Sequence, residues 1–362
     1  MRASLLHPCY WPEVRRGSER FIHDLAIGLA RRGHATRVIT SHRERRTVSE
    51  EEGVTVIRGW RPPGRRLQLG MRQDFLTHLP GSARELWRGD TDVAHALYMT
   101  DALVAHAWSA RTGRPSVYSL MGIPDRPPGV RGTILSNAVR RADAVVALSA
   151  AAAAAAHEAF GADPTVIVPG VDLATFSEAG PRAHAPTVLC TSALEDQRKR
   201  GGLLLEAFEL LRASVPDARL VLSRPGDPAA VAALGLDLDR PGVELAPLDG
   251  QDELVAAYSS AWVSVLPSVA EAFGLVLVEA LACGRPVVGR AEGGVPEIVS
   301  GPEVGRLFHA DDPRELADAL AEALALSGEQ GTAAACRARA EQFDVARCVE
   351  GYERLYEGLI GR

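Results

Sequence analysis

The chain has 362 residues, of which 46% are hydrophobic and 24% are charged, and its formal net charge is −6. This length suits two domains of about 150 to 180 residues each, and the composition excludes a disordered chain. No apolar run reaches the roughly 18 residues that a membrane helix needs, and Pro8 interrupts the opening stretch too early for a signal peptide. We therefore expect a cytoplasmic protein.

Charge is divided unevenly along the sequence. Residues 1–170 carry a net charge of +7, and residues 171–362 carry −13. The basic half favours an anionic binding partner or an anionic membrane surface, and an ordinary solvated surface is the alternative. A group of arginines in this half is formed by Arg43, Arg45, Arg46, Arg58, Arg61, Arg65, Arg66 and Arg72. A peripheral contact with the inner face of a membrane is one hypothesis for this group.

Several common site types find no support in the sequence. Five scattered cysteines without a Cys-x-x-Cys pair argue against a disulfide framework and against a structural zinc site. No Gly-x-Gly-x-x-Gly follows the first strand, and neither Gly-x-Ser-x-Gly nor His-Glu-x-x-His occurs, which disfavours dehydrogenases, hydrolases and zinc proteases. We interpret the Asp-x-Asp at residues 237–239 as chance spacing, and we expect no nucleic-acid partner.

Strand-like and helix-like segments alternate through both halves, which is typical of parallel α/β sheets. The first unit has a strand at 2–6, an amphipathic helix that begins at Ser18 and ends at Gly33, and a strand at 36–40. Further strands are predicted at 53–58, 92–96, 116–120, 143–148, 165–168, 219–223, 263–267 and 286–290, and one begins at Thr187. Further helices are predicted at 149–160, 203–213, 253–259, 275–282, 313–325 and 333–360.

This alternation predicts two Rossmann-like, doubly wound domains. Residues 171–185 mix Gly, Pro and polar residues, and we interpret them as the connection between the domains. The predicted domains are therefore residues 1–170 and 171–340, followed by a last helix.

Residues 267–286 are the most informative part of the sequence. They predict a strand end, a short loop and a helix that Gly284 and Pro286 terminate. Gly274 stands directly before this helix and allows a close backbone approach. The N–H groups of Leu275 and Val276 would then offer a site for a phosphate or diphosphate at the positive end of the helix.

Two carboxylates accompany this helix. Glu271 lies in the loop before it, and Glu279 lies a little over one turn inside it. Carboxylates suit sugar hydroxyls because they are pure hydrogen-bond acceptors. Eight residues apart, the two do not form a tight acid–base dyad, but they can flank one extended ligand. The alternative is a surface glutamate and a half-buried glutamate of an ordinary helix.

The segment resembles the glutamate–seven residues–glutamate motif of glycosyltransferase family 4, the retaining group 1 glycosyltransferases of GT-B fold. The resemblance implies that Glu271 contacts the donor sugar and that Glu279 holds the nucleotide ribose. It also implies that the diphosphate is bound by the backbone amides of Phe273, Gly274, Leu275 and Val276.

The basic residues give a second indication. Of the 40 basic residues, 39 are arginine, and the one lysine, Lys199, follows the first strand of the second domain. Family members carry an Arg and a Lys there that neutralise the donor diphosphate, and a compact ammonium suits a phosphate. The resemblance implies this role for Lys199, shared by Arg198 or Arg200, and we assign Lys199 and Glu271 to the catalytic group.

The resemblance covers most of the chain. Matching segments are residues 17–20, 32–34, 143–149, 168–172 and 293–299. We place Gly17 on the donor side, and Arg16, His95 and Met121 on the acceptor side. The match departs in three places: no arginine stands near residues 192–193, the usual Gly-Gly pair is Arg16-Gly17, and Met121 stands where the family often has a histidine close to the donor sugar. The resemblance therefore does not specify the donor sugar.

The implied enzyme is a retaining glycosyltransferase that needs no metal and no cofactor besides its nucleotide-diphosphate sugar. The two domains would face a cleft, with the donor in the second and a glycan, lipid-linked or small-molecule acceptor in the first. The helix at 341–362 would pack back on the first domain. Two alternatives are a non-catalytic nucleotide-sugar-binding protein on this scaffold, and another GT-B activity such as a sugar-nucleotide epimerase or an inverting transferase.

Overall fold

The computed structural model describes residues 1–14, 17–62, 76–125 and 127–361. The chain forms two compact units, one of Met1–Pro169 together with Val345–Arg362 and one of Gly170–Asp344. Each unit is built on one sheet with helices packed against it.

The sheet of the first unit has the strand order β3-β4-β2-β1-β5-β6-β7-β8 among the described residues. All neighbouring strands are parallel except β3 and β4. The strands are β1 Arg2–Leu6, β2 Ala35–His42, β3 Thr47–Glu51, β4 Val54–Trp60, β5 Val93–Ala96, β6 Ser116–Leu120, β7 Ala144–Ala147 and β8 Thr165–Val166. The helices are Gly17–Arg31, Leu79–Arg88, Met99–Thr112, Gly129–Arg141, Ala150–Phe160 and Val345–Ile360.

The sheet of the second unit is parallel throughout, in the order β11-β10-β9-β12-β13-β14. Its strands are β9 Thr187–Cys190, β10 Arg219–Ser223, β11 Val243–Ala246, β12 Val263–Leu266, β13 Val287–Arg290 and β14 Gly305–Phe308. Its helices are Gly201–Ser214, Pro228–Ala233, Gln251–Ser260, Leu275–Ala282, Pro313–Ser327 and Thr332–Ala340, with 3₁₀ turns at Gln197–Lys199, Val295–Glu297 and Glu341–Phe343.

In both sheets the strand order reverses beside the first strand of the unit. This reversal lies between β1 and β5 in the first unit and between β9 and β12 in the second. Open α/β sheets bind ligands at such a switch point, beyond the carboxyl ends of the strands. The predicted fold class, two doubly wound α/β domains, is confirmed.

The central strands are buried, and this explains why their apolar sequences could be recognised as strands. All four residues of β9 and all four of β12 are buried, as expected of parallel strands covered on both faces. The core of the second unit joins these strands to the helices Gly201–Ser214 and Pro313–Ser327.

The predicted helical stretch 333–360 is not one helix. It is interrupted after Phe343, where Asp344 adopts an extended conformation with φ −67° and ψ 134°. The second part, Val345–Ile360, packs in the first unit, where Val349 lies so close to Gly28 that a Cβ at Gly28 would stand 2.3 Å from its Cγ2. Glu353 of the same helix accepts hydrogen bonds from the Arg32 and His34 side chains.

Candidate functional site

The helix Leu275–Ala282 begins at the carboxyl edge of the second sheet, as predicted. Gly274 precedes it in a left-handed conformation, with φ 109°, which favours glycine. A Cβ there would also stand 3.2 Å from a methyl carbon of Leu266. The N–H groups of Leu275 and Val276 lie in the first turn and therefore have no acceptor within the helix. The positive end of the helix dipole is thus presented at the switch point.

Lys199 and Glu271 meet at the same edge. Lys199 ends the 3₁₀ turn after β9, and Glu271 lies in the loop after β12. The Val269 N–H donates to the Arg198 carbonyl oxygen at 3.0 Å, which joins the two loops. The Lys199 ammonium donates to Glu271 Oε1, and the two side chains are 20% and 16% exposed. The structure therefore brings the two predicted catalytic residues together as a partly buried ion pair.

The backbone of Glu271 is held by the glycine loop, which is the loop after β13 that contains Gly293 and Gly294. The Gly294 N–H donates to the Glu271 carbonyl oxygen at 2.9 Å. Gly293 has φ 62°, and a Cβ there would stand 2.2 Å from the same oxygen. Only glycine at position 293 allows this approach, so the loop fixes the position of Glu271.

Glu279 lies inside the helix and is buried, with a relative exposure of 4%. Its Oε2 accepts a hydrogen bond from the Tyr258 hydroxyl at 2.8 Å. The Tyr258 hydroxyl lies 3.0 Å from Thr191 Oγ1, which follows β9. Burial, together with the Glu279 carboxylate, raises the pKa of Tyr258 well above its usual value. Sequence reasoning identified Glu279 but not Thr191 or Tyr258.

The two arginines that flank Lys199 each have a carboxylate partner of their own. The Arg198 guanidinium pairs with Asp196 at 2.6 Å. Arg200 pairs with Asp311, which also pairs with Arg290. Arg200 has φ 53°, a left-handed conformation that is strained for a residue with a side chain.

The remaining predicted donor-side residues lie in different surroundings. The Phe273 side chain is buried and packs edge-on against Phe343, with ring centroids 5.4 Å apart. Gly17 is the exposed first residue of its helix, with open space where a Cβ would stand. On the acceptor side, Met121 is half-buried directly after β6, and Arg16 lies outside the described residues.

The placement of His95 corrects the prediction that it faces an acceptor. His95 is fully buried, and its ring nitrogens form hydrogen bonds with Ser119 at 2.8 Å and with Tyr356 at 2.6 Å. Tyr352 packs on the same ring, at a centroid distance of 5.2 Å. Burial lowers the pKa of His95 to about 3. The last helix covers the strand that carries His95. The residue is therefore a neutral, buried part of the first unit.

A buried polar cluster near the carboxyl ends of β1 and β5 was not predicted. His78 Nε2 lies 2.9 Å from Asp101 Oδ1, which also accepts a hydrogen bond from Ser82. Burial lowers the pKa of the neighbouring His7. Asp101 stands in the first turn of the helix after β5. Only this position, soon after a strand, could have indicated the cluster from the sequence.

Three arginines of the first-half group are engaged within the unit. Arg46 pairs with Glu85, Arg58 with Glu13 and Glu51, and Arg61 with a backbone carbonyl. Arg43 and Arg45 are exposed, and Arg65, Arg66 and Arg72 lie outside the described residues.

A metal-binding cluster and a membrane-spanning helix are both absent from the described ranges. No group of three or more His, Cys, Asp or Glu side chains in these ranges is arranged to hold a metal ion. In the same ranges, no helix has both the length and the apolar character needed to cross a bilayer.

Both halves of the chain match protein-family models. The model for group 1 glycosyl transferases matches residues 185–325, and the model for glycosyltransferase family 4 matches residues 15–175. A D-inositol 3-phosphate glycosyltransferase of Salinispora arenicola is 31% identical over 314 residues, which are 74% of this chain and 69% of that protein. A second, from Mycolicibacterium vanbaalenii, is 37% identical over 192 residues, 47% of this chain and 42% of that protein, so this match spans less than half of the relative.

Solved structures share the architecture of both units. Sucrose-phosphate synthase from Thermosynechococcus elongatus superposes with a TM-score of 0.81 at 22% identity and covers 99% of both chains. Anabaena HepE in complex with UDP-glucose superposes with a TM-score of 0.76 at 21% identity, over 99% of this chain and 100% of that chain. At these identities the likeness concerns the fold.

Proposed function

Since this chain belongs to the group 1 glycosyltransferases of glycosyltransferase family 4, we propose that it transfers a sugar from a nucleotide-diphosphate donor to an acceptor hydroxyl with retention of configuration. We assign the donor to the second unit and the acceptor to the first.

One observation carries the donor assignment. The Lys199–Glu271 pair stands at the switch point of the second sheet, beside the amino end of the helix Leu275–Ala282. A diphosphate there would be met by a cation and by backbone N–H groups, and the adjoining sugar by a carboxylate. A diphosphate and the sugar attached to it require groups of these kinds.

The same groups support a metal-independent reaction. In sugar transfer the leaving diphosphate gains negative charge, and the positive groups aimed at it lower the barrier. The Lys199 ammonium and the amides of Leu275 and Val276 supply that positive charge. We expect full activity in the presence of a chelator, and loss of activity in EDTA that added Mg²⁺ restores would contradict this.

Retention follows in this proposal from attack on the face that the diphosphate leaves. The departing phosphate oxygen takes the proton of the acceptor hydroxyl as the new glycosidic bond forms, and no protein nucleophile is involved. Proton NMR of the first product formed reports its anomeric configuration. An inverted product or a trapped covalent glycosyl-enzyme would contradict the mechanism.

The identity of the substrates is proposed on two grounds. HepE was solved with UDP-glucose, so UDP-sugars are the first donors to test. The relatives are named D-inositol 3-phosphate glycosyltransferases, and residues 1–170 carry a net charge of +7. We therefore propose an anionic, hydroxyl-bearing acceptor, with inositol 3-phosphate as the first candidate.

The experiment is a thermal-shift screen of UDP-, GDP- and ADP-sugars on the wild type and on Lys199→Ala. A ligand at about 100 times its Kd stabilises by about 2.7 kcal/mol, which corresponds to about 5 to 10 °C for a domain of this size. We expect one nucleotide sugar to raise the Tm of the wild type and Lys199→Ala to lose most of that shift. Glu244→Gln, an exposed change on β11, serves as the control.

The outcome also separates the alternatives. Binding without transfer to any acceptor would favour a non-catalytic binding protein. A donor that is altered without an acceptor would favour an epimerase. If no nucleotide sugar shifts the Tm, the proposed donor site is wrong.

A further inference from the structure

Three side chains of the second unit form a line of hydrogen bonds that the proposed function does not yet use. Thr191 follows β9, Tyr258 lies on the helix Gln251–Ser260, and Glu279 lies on the helix Leu275–Ala282. The Thr191 and Tyr258 hydroxyl oxygens are 3.0 Å apart, and the Tyr258 hydroxyl is 2.8 Å from Glu279 Oε2. The line thus links three separate parts of the unit and ends at one carboxylate oxygen.

The direction of these hydrogen bonds follows from proton accounting. Glu279 Oε2 belongs to an acceptor group, so the single Tyr258 proton is donated to it. The Tyr258 oxygen can then only accept from Thr191, which makes Thr191 the donor. Because burial and the neighbouring carboxylate raise the pKa of Tyr258 well above its usual value, its hydroxyl keeps this proton at neutral pH.

We propose that Tyr258, supported by Thr191, is a positioning residue that orients the Glu279 carboxylate toward the ribose hydroxyls of the donor nucleotide. The inference rests on the proposed function and on the ribose role of Glu279 that the resemblance to family 4 implies. The Tyr258 hydroxyl fixes one carboxylate oxygen and so determines how the carboxyl plane is turned. The ribose diol then meets a carboxylate that does not have to be ordered when the nucleotide binds.

A purely structural hydroxyl would behave differently. Tyr258 is completely buried, so removal of its hydroxyl would lower the stability of the core whichever group it bonded. A positioning role adds a ligand-dependent effect, because only a nucleotide with ribose hydroxyls benefits from the orientation of Glu279. The comparison of a ribonucleotide with its dideoxy analogue therefore separates the two roles.

The test uses Tyr258→Phe in the full-length chain and isothermal titration calorimetry. The ligands are whichever of UDP, GDP and ADP the wild type binds most tightly, and the 2′,3′-dideoxy form of the same nucleotide. We expect the variant to bind the ribonucleotide about tenfold more weakly, since a hydrogen bond to a charged group is lost. Its Kd for the dideoxy form should change less than about twofold.

A matched control is Tyr352→Phe in the first unit. It removes another completely buried tyrosine hydroxyl, which is bonded to Ser119 at 2.9 Å. We expect it to change the Kd of neither nucleotide. If Tyr258→Phe folds poorly, Thr191→Val keeps the tyrosine and removes only its donor, and we expect the same ribonucleotide-selective loss at a smaller size.

Three results would overturn the inference. The first is an equal loss for both nucleotides in Tyr258→Phe, and the second is no loss for either. The third is a wild type that binds ribonucleotide and dideoxynucleotide equally, which would refute the ribose role of Glu279 and, with it, the inference. A wild type that binds no nucleoside diphosphate would instead refute the proposed donor site itself.

Discussion

The Lys199 ammonium donates a hydrogen bond to the Glu271 carboxylate, although 72 residues separate them in the sequence. We assign Lys199 to the diphosphate of the donor and Glu271 to its sugar. A bound nucleotide sugar would give both residues a new partner at once. A bare nucleoside diphosphate would bind the Lys199 ammonium but offer Glu271 no sugar hydroxyl. The Glu271 carboxylate would then lie unpaired beside two negatively charged phosphates. The pair should therefore favour the intact donor over the product nucleotide.

Glu271→Gln tests this relationship. The change frees Lys199 and removes a negative charge beside the diphosphate, so we expect the bare nucleoside diphosphate to bind about threefold more tightly. Transfer should fall about 100-fold, because the carboxylate that accepts the sugar hydroxyls is lost. Calorimetry measures the first effect and the initial rate of transfer the second. Glu244→Gln is the control, and weaker binding of the bare nucleotide to Glu271→Gln would refute the competition.

Gly293→Ala should displace Glu271. An alanine Cβ at this position would stand 2.2 Å from the Glu271 carbonyl oxygen, so the loop has to shift. Gly161→Ala is a matched control with a similar φ of 65° and open space around the Cβ position. Both variants should lose about 1 kcal/mol of unfolding free energy through left-handed strain, and Gly293→Ala should lose more because its Cβ clashes with the backbone. Only Gly293→Ala should also weaken donor binding, by about tenfold. Equal donor affinity in the two variants would contradict this role of the glycine loop.

His95 should make stability depend on pH. Folded His95 stays neutral down to about pH 3, whereas the unfolded residue protonates near pH 6.5, so the unfolded state binds one extra proton between these values. Stability therefore falls as the pH drops below about 6.5, by about 1.4 kcal/mol per pH unit.

The measurement compares the wild type with His95→Gln by urea denaturation at pH 7.5 and pH 5. At pH 7.5 the variant should be less stable, because the hydrogen bonds to Ser119 and Tyr356 are disturbed. At pH 5 the difference should be smaller by about 2 kcal/mol, because only the wild type suffers the extra protonation. A difference independent of pH would mean that His95 accepts its proton in the folded state. Nucleotide binding should be the same in both proteins.

The exposed Arg43 and Arg45 lie on the same unit as Trp60, which is 60% exposed. Basic residues near an anionic bilayer contribute about 1 kcal/mol each, so Arg43→Gln/Arg45→Gln should weaken vesicle binding roughly 30-fold. Sedimentation with phosphatidylserine vesicles at low salt measures this. The exposed pair Arg140→Gln/Arg141→Gln is the control, with equal loss of charge elsewhere. A protein that stays in the supernatant at low salt would end the membrane hypothesis.

The sequence predicts the central strands well and misses most of the edge strands. The predicted strands at 116–120 and 219–223 and the helix at 275–282 have the observed bounds. The edge strands Val243–Ala246 and Gly305–Phe308 were missed, since they are short and partly exposed, and each includes a charged side chain. The helix Met99–Thr112 was also missed. Much of its surface is buried, so its sequence lacks the polar face that marks an amphipathic helix.

Site residues were predictable one at a time but not as partners. Lys199 was conspicuous as the one lysine in the sequence, and Glu271 through its spacing from Glu279. Their ion pair depends on β9 and β12 being neighbours, which no local pattern records. His95 failed for the same reason, since its partner Tyr356 is 261 residues away along the chain. Spacing in the sequence indicates which residues lie on the same helix or strand. Hydrogen bonds between distant residues depend on the tertiary topology.

The division of the chain into units also has a consequence for biosynthesis. The second unit is one continuous segment, whereas the first unit is completed by the helix Val345–Ile360, which is translated after the whole second unit. Until Tyr352 and Tyr356 emerge from the ribosome, the ring of His95 lacks the two tyrosines that pack against it. The amino-terminal unit, although made first, is therefore finished last, and a ribosome that stalls before residue 345 leaves it with an open core.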